Sequence, residues 1–119
     1  MDKKLILILV LNLLIISQIN ISNYHLKALE TTVYVDIDGL HDYKKIQEAI
    51  DNVENDTKIV VLNGTYVENI LINKEIQLIG EDIVNTIIDG NQKGCTINLS
   101  SEQAIIKNFT IKYKVVYTK

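Results

Sequence analysis

The stretch LNGTYVENILINKEIQLIGED, residues 62–82, contains two short apolar runs that stand almost back to back. Only Asn73, Lys74 and Glu75 separate ILI from IQLIG. Strands that pair as a tight hairpin are usually joined by a turn such as Asn-Gly or Asp-Gly, and neither dipeptide lies between these two runs. The stretch therefore favours short strands joined by bends over strands joined by hairpins.

The same pattern extends over most of the chain. Residues 31–37 (TTVYVDI) alternate apolar and polar side chains, which predicts a strand. Further short apolar runs, separated by turn residues, predict six more strands at 58–62, 65–72, 75–80, 85–89, 95–99 and 104–111. A β-sandwich and a parallel β-helix, whose turns each carry about three short strands, both fit this pattern. A weak internal repeat favours the β-helix, because similar runs begin at Ile76 and Ile105, 29 residues apart.

One segment follows helical periodicity instead. In DYKKIQEAIDNV, the apolar residues recur at helical spacing and fall within an arc of about 120°. They are Tyr43, Ile46, Ala49, Ile50 and Val53. The segment predicts one amphipathic helix over about 42–53, with Asp42 as its N-cap.

The first residues have the order of a secretory signal peptide: charged MDKK, an apolar stretch at 5–16, and polar SQINISNYH. A membrane-spanning helix needs about 20 apolar residues, so the stretch is short for a stable anchor. We therefore expect residues 1–28 to be a signal peptide or a short N-terminal anchor, with Ser22 and Ala28 as candidate last residues. The domain is expected over 31–119, in an exported protein located outside the cell or at its surface.

Composition excludes some classes of protein. The formal net charge of the 119-residue chain is −3, and the sequence contains no Arg. Phosphate recognition draws on clusters of Lys and Arg and on bidentate Arg, so we expect no nucleic-acid partner. Cys95 is the single cysteine of the chain, so no internal disulfide is available to stabilise the domain.

Several motifs occur in an order that is characteristic of one family. VYVDIDGLHDYKKIQEAID, followed by IVVLNGTYVENILINKEIQLIGED and NTIIDGN, resembles the N-terminal part of pectin-lyase-like right-handed parallel β-helix proteins. The likeness is to NosD-like and carbohydrate-binding/sugar-hydrolase (CASH) type repeat modules of surface proteins, and to the start of pectinesterases. It extends over about residues 33–111. The matching residues are Tyr43, Ile46, Gln47, Ala49 and Ile50 in the helix, Gly64, Thr65, Tyr66, Glu68 and Asn69 in a turn, Ile76, Leu78 and Gly80 in a strand, and 86–90 in TIIDG.

The resemblance implies an all-β, right-handed parallel β-helix of about three rungs, preceded by a signal segment. It also implies that the helix at about 42–53 caps the first rung through Tyr43, Ile46, Ala49, Ile50 and Val53. Family members usually have more rungs, so the chain resembles the N-terminal portion of a longer protein. The sequence ends on an apolar run with Val115, Val116 and Tyr117. We therefore expect a last rung that is open, that self-associates, or that continues into further rungs.

The resemblance supplies no catalytic residues. Enzymes of this superfamily use Asp residues together with an Arg on later rungs, and this chain has no Arg. We expect Asp36 and Asp38 to belong to a turn and not to a calcium loop, which needs further ligands. Glu81, Asp82 and Asp89 are expected to be solvated bend residues, although a carboxylate pair of the glycosidase type is the alternative.

The other reactive residues also favour a structural reading. His25, His41 and Cys95 form a poor set of copper or zinc ligands, so we expect no metal and no cofactor. Cys95 is predicted to start a strand as a small buried apolar residue. The sequence thus predicts a non-catalytic surface module in contact with glycans or cell-envelope components. The alternative is the N-terminal piece of a polysaccharide-acting enzyme whose catalytic rungs are absent.

Five Asn-x-Ser/Thr sequons occur, at Asn20, Asn55, Asn63, Asn98 and Asn108. Asn55 and Asn63 lie in predicted turns and are candidates for N-glycosylation. Asn98 and Asn108 lie within predicted strands, where we expect glycosylation to be less favoured.

Overall fold

The chain forms a short coil of β-strands, with one helix ahead of the first strand and a second helix between the first and second strands. The computed structural model describes residues 2–17 and 29–113. The helices are α1 (Lys3–Ser17) and α2 (Ile46–Asn52). The strands are β1 (Thr32–Val35), β2 (Lys58–Val61), β3 (Gly64–Val67), β4 (Ile70–Ile72), β5 (Gln77–Gly80), β6 (Thr86–Asp89), β7 (Ile97–Leu99), β8 (Ile105–Lys107) and β9 (Thr110–Lys112).

Within the described residues every strand pair is parallel and links successive turns of the chain. The first sheet has the order β1-β2-β5-β8, the second β3-β6-β9 and the third β4-β7. One rung, meaning one turn of the coil, is β2-β3-β4; the next is β5-β6-β7, and β8 and β9 begin another. This arrangement confirms the predicted parallel β-helix and excludes the sandwich, whose strands would pair in an antiparallel manner.

Alternate side chains of each strand point into the coil, where they stack from one rung to the next. In the first sheet Ile59 lies directly over Leu78, and both are fully buried. In the second sheet Tyr66 lies over Ile88, and they are 2% and 0% exposed. In the third sheet the buried residue Ile70 lies over Ile97. These columns of apolar side chains form the core.

Two of the predicted strands are wrong in extent. The run 65–72 divides into β3 and β4, and the run 104–111 divides into β8 and β9. At the second division Asn108 has a φ of 64°, a left-handed conformation that Asn tolerates better than most residues. The predicted repeat is also off by one residue, because Ile105 pairs with Gln77 and not with Ile76.

The helix is shorter than predicted. α2 contains seven residues, and Lys45 stands at its N-cap position without a side-chain hydrogen bond. Asp42 is therefore not the N-cap, and its carboxylate instead accepts the N–H of Tyr34 at 2.8 Å. Tyr43 lies outside the helix and forms a parallel bridge with Val35. Its side chain is partly buried against the core.

The buried face of α2 covers the upper part of the coil. Ile46, Ala49 and Ile50 are fully buried, and Val53, at the C-cap, is 7% exposed. The helix packs against β1, β2 and β4. It therefore lies where a further rung would otherwise stack on β4.

The N-terminal apolar segment forms α1, whose large side chains from Leu5 to Ile15 are exposed. At 1.5 Å per residue its 15 residues span about 22 Å. In the part of the chain that the structure describes, no helix is both long and apolar enough to cross a membrane. The predicted signal ends at Ser22 and Ala28, and the apolar run 115–117, lie outside the described residues.

We predict that Ile46→Asp unfolds or aggregates the domain. The substitution places an unpaired carboxylate in a fully buried position, which costs about 3–5 kcal/mol out of the roughly 5–15 kcal/mol that stabilises a small domain. Thermal unfolding followed by circular dichroism measures this change. The control is Lys45→Asp, an exposed neighbour, which we expect to be mild; equal losses in both variants would contradict a role for the buried helix face.

Candidate functional site

The N-terminus of α2 is held by a carboxylate from the first rung. Glu68, in the bend between β3 and β4, accepts the N–H groups of Ile46 and Gln47 on its two oxygens, each at 3.0 Å. The first N–H groups of a helix have no partner within the helix, and a negative charge at this end is favourable to the helix dipole. Glu68 therefore performs the capping role that the sequence suggested for Asp42.

The opposite end of α2 is held by a positive charge. The Nζ atom of Lys74, in the bend after β4, lies 2.8–2.9 Å from the backbone oxygens of Ile50, Asp51 and Val53. These are the carbonyl groups that a helix leaves unpaired at its C-terminus. Glu68 and Lys74 thus flank β4 and anchor both ends of the helix to it.

Gln47 closes the upper edge of β4. Its amide oxygen accepts the N–H of Leu71 at 2.8 Å, and its amide nitrogen donates to the oxygen of Leu71 at 3.3 Å. In β4, Ile70 and Ile72 bond to the chain around β7, so the backbone of Leu71 points the other way. The Gln47 side chain therefore supplies the bonds that a neighbouring strand would supply.

A polar cluster lies in the turn after β1. The Asp36 carboxylate accepts the N–H of Asp38 at 3.0 Å and lies 3.1 Å from Nδ1 of His41. The hydrogen bond from the Asp38 N–H, and to a smaller extent the one to the His41 side chain, holds the pKa of Asp36 below its ordinary value. Asp36 is 7% exposed. These hydrogen bonds stabilise the turn after β1, which is the role expected for Asp36.

The carboxylates of the lower bends also bind backbone N–H groups. Asp82 accepts those of Val84 and Asn85 at 2.7 and 3.2 Å, and these two bonds lower the pKa of Asp82. Glu81 accepts the N–H of Asn63 at 2.9 Å. Asp89 accepts that of Asn91 at 2.9 Å. Each of these acids stabilises the bend in which it lies or the bend of the adjacent rung.

The remaining reactive residues lie apart from one another. Cys95 is exposed, and its Sγ atom donates to the oxygen of Ile97 at 2.9 Å. The prediction that Cys95 is buried at the start of a strand is wrong, because the strand begins at Ile97. His25 lies outside the described residues. Among the residues that the structure describes, no three His, Cys, Asp or Glu side chains are placed to share a metal ion.

The sequons lie on the surface wherever the structure describes them. Asn55 and Asn63 are exposed in bends, and the side-chain oxygen of each accepts one hydrogen bond, from Glu75 and Thr86 respectively. Asn98 is exposed within β7, whereas Asn108 is in a bend and not within a strand as predicted. Asn20 lies outside the described residues.

Among the described residues, the end of the coil away from α2 is formed by β7, β8 and β9, and it is termed the open end. Inward-facing residues there are less buried than those above them. Ile111 is 42% exposed although it lies below Ile88, which is fully buried. Leu99 is 49% exposed, below the fully buried Ile72. Two adjoining grooves of about 450 and 400 Å³ open at this end, and both are lined by Ile111 and Tyr113.

Comparison with known proteins identifies no relative. No family model, no curated protein and no solved structure matches this chain.

We predict that Glu68→Gln lowers the free energy of unfolding by about 1–2 kcal/mol. A neutral amide offers one oxygen acceptor where the carboxylate offers two, and it loses the charge that favours the helix N-terminus. Urea unfolding measures the loss. Glu48→Gln, on the exposed side of the same helix, should change stability by less than about 0.5 kcal/mol. Similar losses for both would show that the contact between Glu68 and α2 contributes little.

We predict that acid destabilises the domain through Asp36 and Asp82. The pKa of each is lower in the folded protein than the ordinary value of 3.8, so the folded state holds these protons less tightly. The stability that each provides is fully present above its unfolded pKa, and it is lost as the pH falls from there through the folded pKa. Urea unfolding at about pH 6 and about pH 3 tests this. The double variant Asp36→Asn/Asp82→Asn should lose less between the two pH values, and an unchanged loss would contradict the assignment.

Proposed function

We propose that this protein is an exported, non-catalytic surface module built on the pectin-lyase-like plan of NosD-like and CASH-type repeats. It would form the capped start of a β-helix that contacts glycans or components of the cell envelope. The parallel coil and the order of the motifs in 33–90 support this family assignment. The apolar helix α1 ahead of the domain supports export.

The observation that carries a non-catalytic function is the use of the bend carboxylates. Asp36, Glu81, Asp82 and Asp89 all accept backbone N–H groups. Hydrogen bonds to an ionised carboxylate can lower its pKa, whereas a general acid needs a raised pKa. For Asp36 and Asp82 the pKa is lowered. This is opposite to the shift that a catalytic acid of a glycosidase requires.

The outer face of the first sheet is the surface that we propose for glycan contact. Tyr34, Val60, Ile79 and Lys107 lie in register down this face, one from each strand. Tyr34 is 41% exposed, and its ring centroid lies 5.8 Å from that of His41. A row of aromatic and aliphatic side chains that ends in a lysine suits the apolar faces and hydroxyl groups of a sugar chain.

We expect the purified protein to bind cell-wall polysaccharide without cleaving it. Polygalacturonate and methylated pectin should show no new reducing ends, unsaturated products or methanol, and affinity electrophoresis in the same polymers should show retardation. Tyr34→Ala should reduce this retardation severalfold, whereas Thr65→Ala, exposed on the second sheet, should not. Release of product would overturn the proposal in favour of a polysaccharide-acting enzyme. Absence of retardation would remove the glycan from the proposed partners.

A further inference from the structure

Among the described residues, no strand lies on the α2 side of β3. After β1 the chain turns through residues 37–42 and returns to the first sheet, where the N–H of Tyr43 donates to the oxygen of Tyr34 at 3.1 Å. The helix α2 then packs against β1, β2 and β4. The second sheet therefore begins at β3, whose partner among the described strands is β6.

The backbone groups of β3 alternate in direction. The N–H groups of Gly64 and Glu68 donate to the backbone of the rung below, at 2.9 and 3.0 Å. Since successive residues of a strand direct their backbone groups to opposite sides, the N–H and C=O groups of Thr65 and Val67 point away from β6. In the part of the chain that the structure describes, these groups have no hydrogen-bond partner. They form an unpaired strand edge, to which a further strand can add.

The edges of the two neighbouring sheets are treated differently at this end of the coil. In β4 both backbone groups of Leu71 are bonded to the side chain of Gln47. In β1 both backbone groups of Tyr34 are bonded to the turn that follows the strand, and Thr32 is the one outward residue that remains. At the edge of β3, by contrast, two consecutive outward-directed residues are unpaired within the described chain.

A groove of about 310 Å³ lies at this edge. Its lining consists of β3 and the bend that follows, residues 65–68, together with Ile37, Lys44 and Lys45. Ile37 is 43% exposed and Val67 is 58% exposed, so the groove offers apolar surface next to the backbone groups. The unpaired edge is therefore part of a groove that also presents side chains to an occupant.

The charge of the groove is positive. The side chains of Lys44 and Lys45 are exposed and make no ion pair or hydrogen bond in the described part of the chain. Glu68 is the acid of the lining, and both of its oxygens already accept N–H groups of α2. On a chain whose formal net charge is −3, this groove is a local site for carboxylates.

The same two lysines disfavour a second copy of this chain as the occupant. If β3 paired with β3 of another copy about a two-fold axis, Lys44 and Lys45 of one copy would approach those of the other. Like charges oppose such a contact, and lysines beside a strand edge are a common means of preventing self-pairing. An acidic segment instead meets the opposite charge, so the lysines select against the first occupant and for the second.

We propose that the edge of β3 is a docking site for an extended, acidic segment of another protein, which adds to the second sheet as a strand. The main chain of the segment would bond to Thr65 and Val67, its carboxylates would lie near Lys44 and Lys45, and an apolar side chain would contact Ile37. In strand addition the main chain supplies affinity and alternate side chains supply specificity. This site is separate from the face of the first sheet that we propose for glycan contact.

Amide hydrogen exchange followed by NMR tests the pairing. The probes are hexapeptides of Thr and Val, which favour extended chains, with two Glu residues moved through the sequence; the control peptides carry Gln instead. In the full chain, in a mild detergent, the amides of Thr65 and Val67 should exchange at least about ten-fold faster than that of Tyr66, which lies in the ladder to β6. An acidic peptide of the set should protect both amides, and its Gln counterpart should bind severalfold more weakly. Amides that are already protected in the free chain, or that no peptide protects at about 1 mM, would overturn the inference.

Variants separate the backbone contribution from the charge contribution, with peptide binding measured by fluorescence anisotropy. Val67→Pro removes an outward N–H and keeps the bonds to β6, and it should weaken binding at least about five-fold. Thr32→Pro removes an outward N–H at the edge of the first sheet and should change the dissociation constant less than about two-fold. Lys44→Gln/Lys45→Gln should weaken binding about three-fold or more, whereas Lys93→Gln, exposed in a bend, should have little effect.

Circular dichroism confirms that each variant folds, and the lysine comparison decides alone if Val67→Pro does not fold. Equal effects of a variant and its control would overturn the inference. Analytical ultracentrifugation without peptide tests the other occupant, because a wild-type dimer that Val67→Pro dissociates would assign the edge to a second copy and also overturn it.

These measurements do not depend on export or on glycan binding. A chain that binds the acidic peptide and no polysaccharide would keep the docking site and lose the proposed glycan contact. A chain that binds polysaccharide and no peptide would do the reverse.

Discussion

The structure depends on one constraint, which is that inward-facing side chains of each rung must stack on those of the next. Ile59 over Leu78 and Tyr66 over Ile88 satisfy it with nearly complete burial. The parallel register fixes these columns, because a slip of one residue in any strand would turn its apolar side chains to the solvent. No disulfide assists the core, so it is this stacking that must outweigh the chain entropy lost on folding.

The same register determines which residues stand at the corners. A methyl group on Gly80 would overlap the backbone oxygen of Asn108, one rung below, so the close approach of successive corners requires glycine there. Thr86, fully buried, donates to the side chain of Asn63 from the rung above. Tyr66 places its hydroxyl 3.0 Å from the oxygen of Leu62, and burial raises its pKa to about 12. Polar groups inside the coil are thus accommodated by bonds between neighbouring corners.

The sequence predicts most strand positions, because short apolar runs are visible in the order of residues. The pattern alone only modestly favours the parallel coil over a sandwich, and the resemblance of the motifs to a β-helix family implies it. It does not predict the contacts of Glu68 and Lys74 with α2. These residues lie more than 20 positions from their partners in the helix, and no local pattern reveals that relation. Gln47 and Glu68 both belong to the family-like motifs, but their roles follow from geometry alone. Sequence adjacency, the usual guide to capping, points to Asp42 as the N-cap, but Glu68 of the first rung takes this role.

The two ends of the coil differ in how far their core residues are buried. The helix α2 covers the core at one end, whereas Leu99 and Ile111 at the open end are partly exposed. A seven-residue helix is marginal on its own, so α2 should form only together with the β4 region that binds both of its ends. Each rung of a coil contacts only its neighbours, and stability should accordingly be greatest near α2 and decrease toward the open end. Regions with few buried contacts open most readily, so the described strands farthest from α2 should open before the first rung does. The position of α2 thus protects the end of the coil at which the core residues are most completely buried.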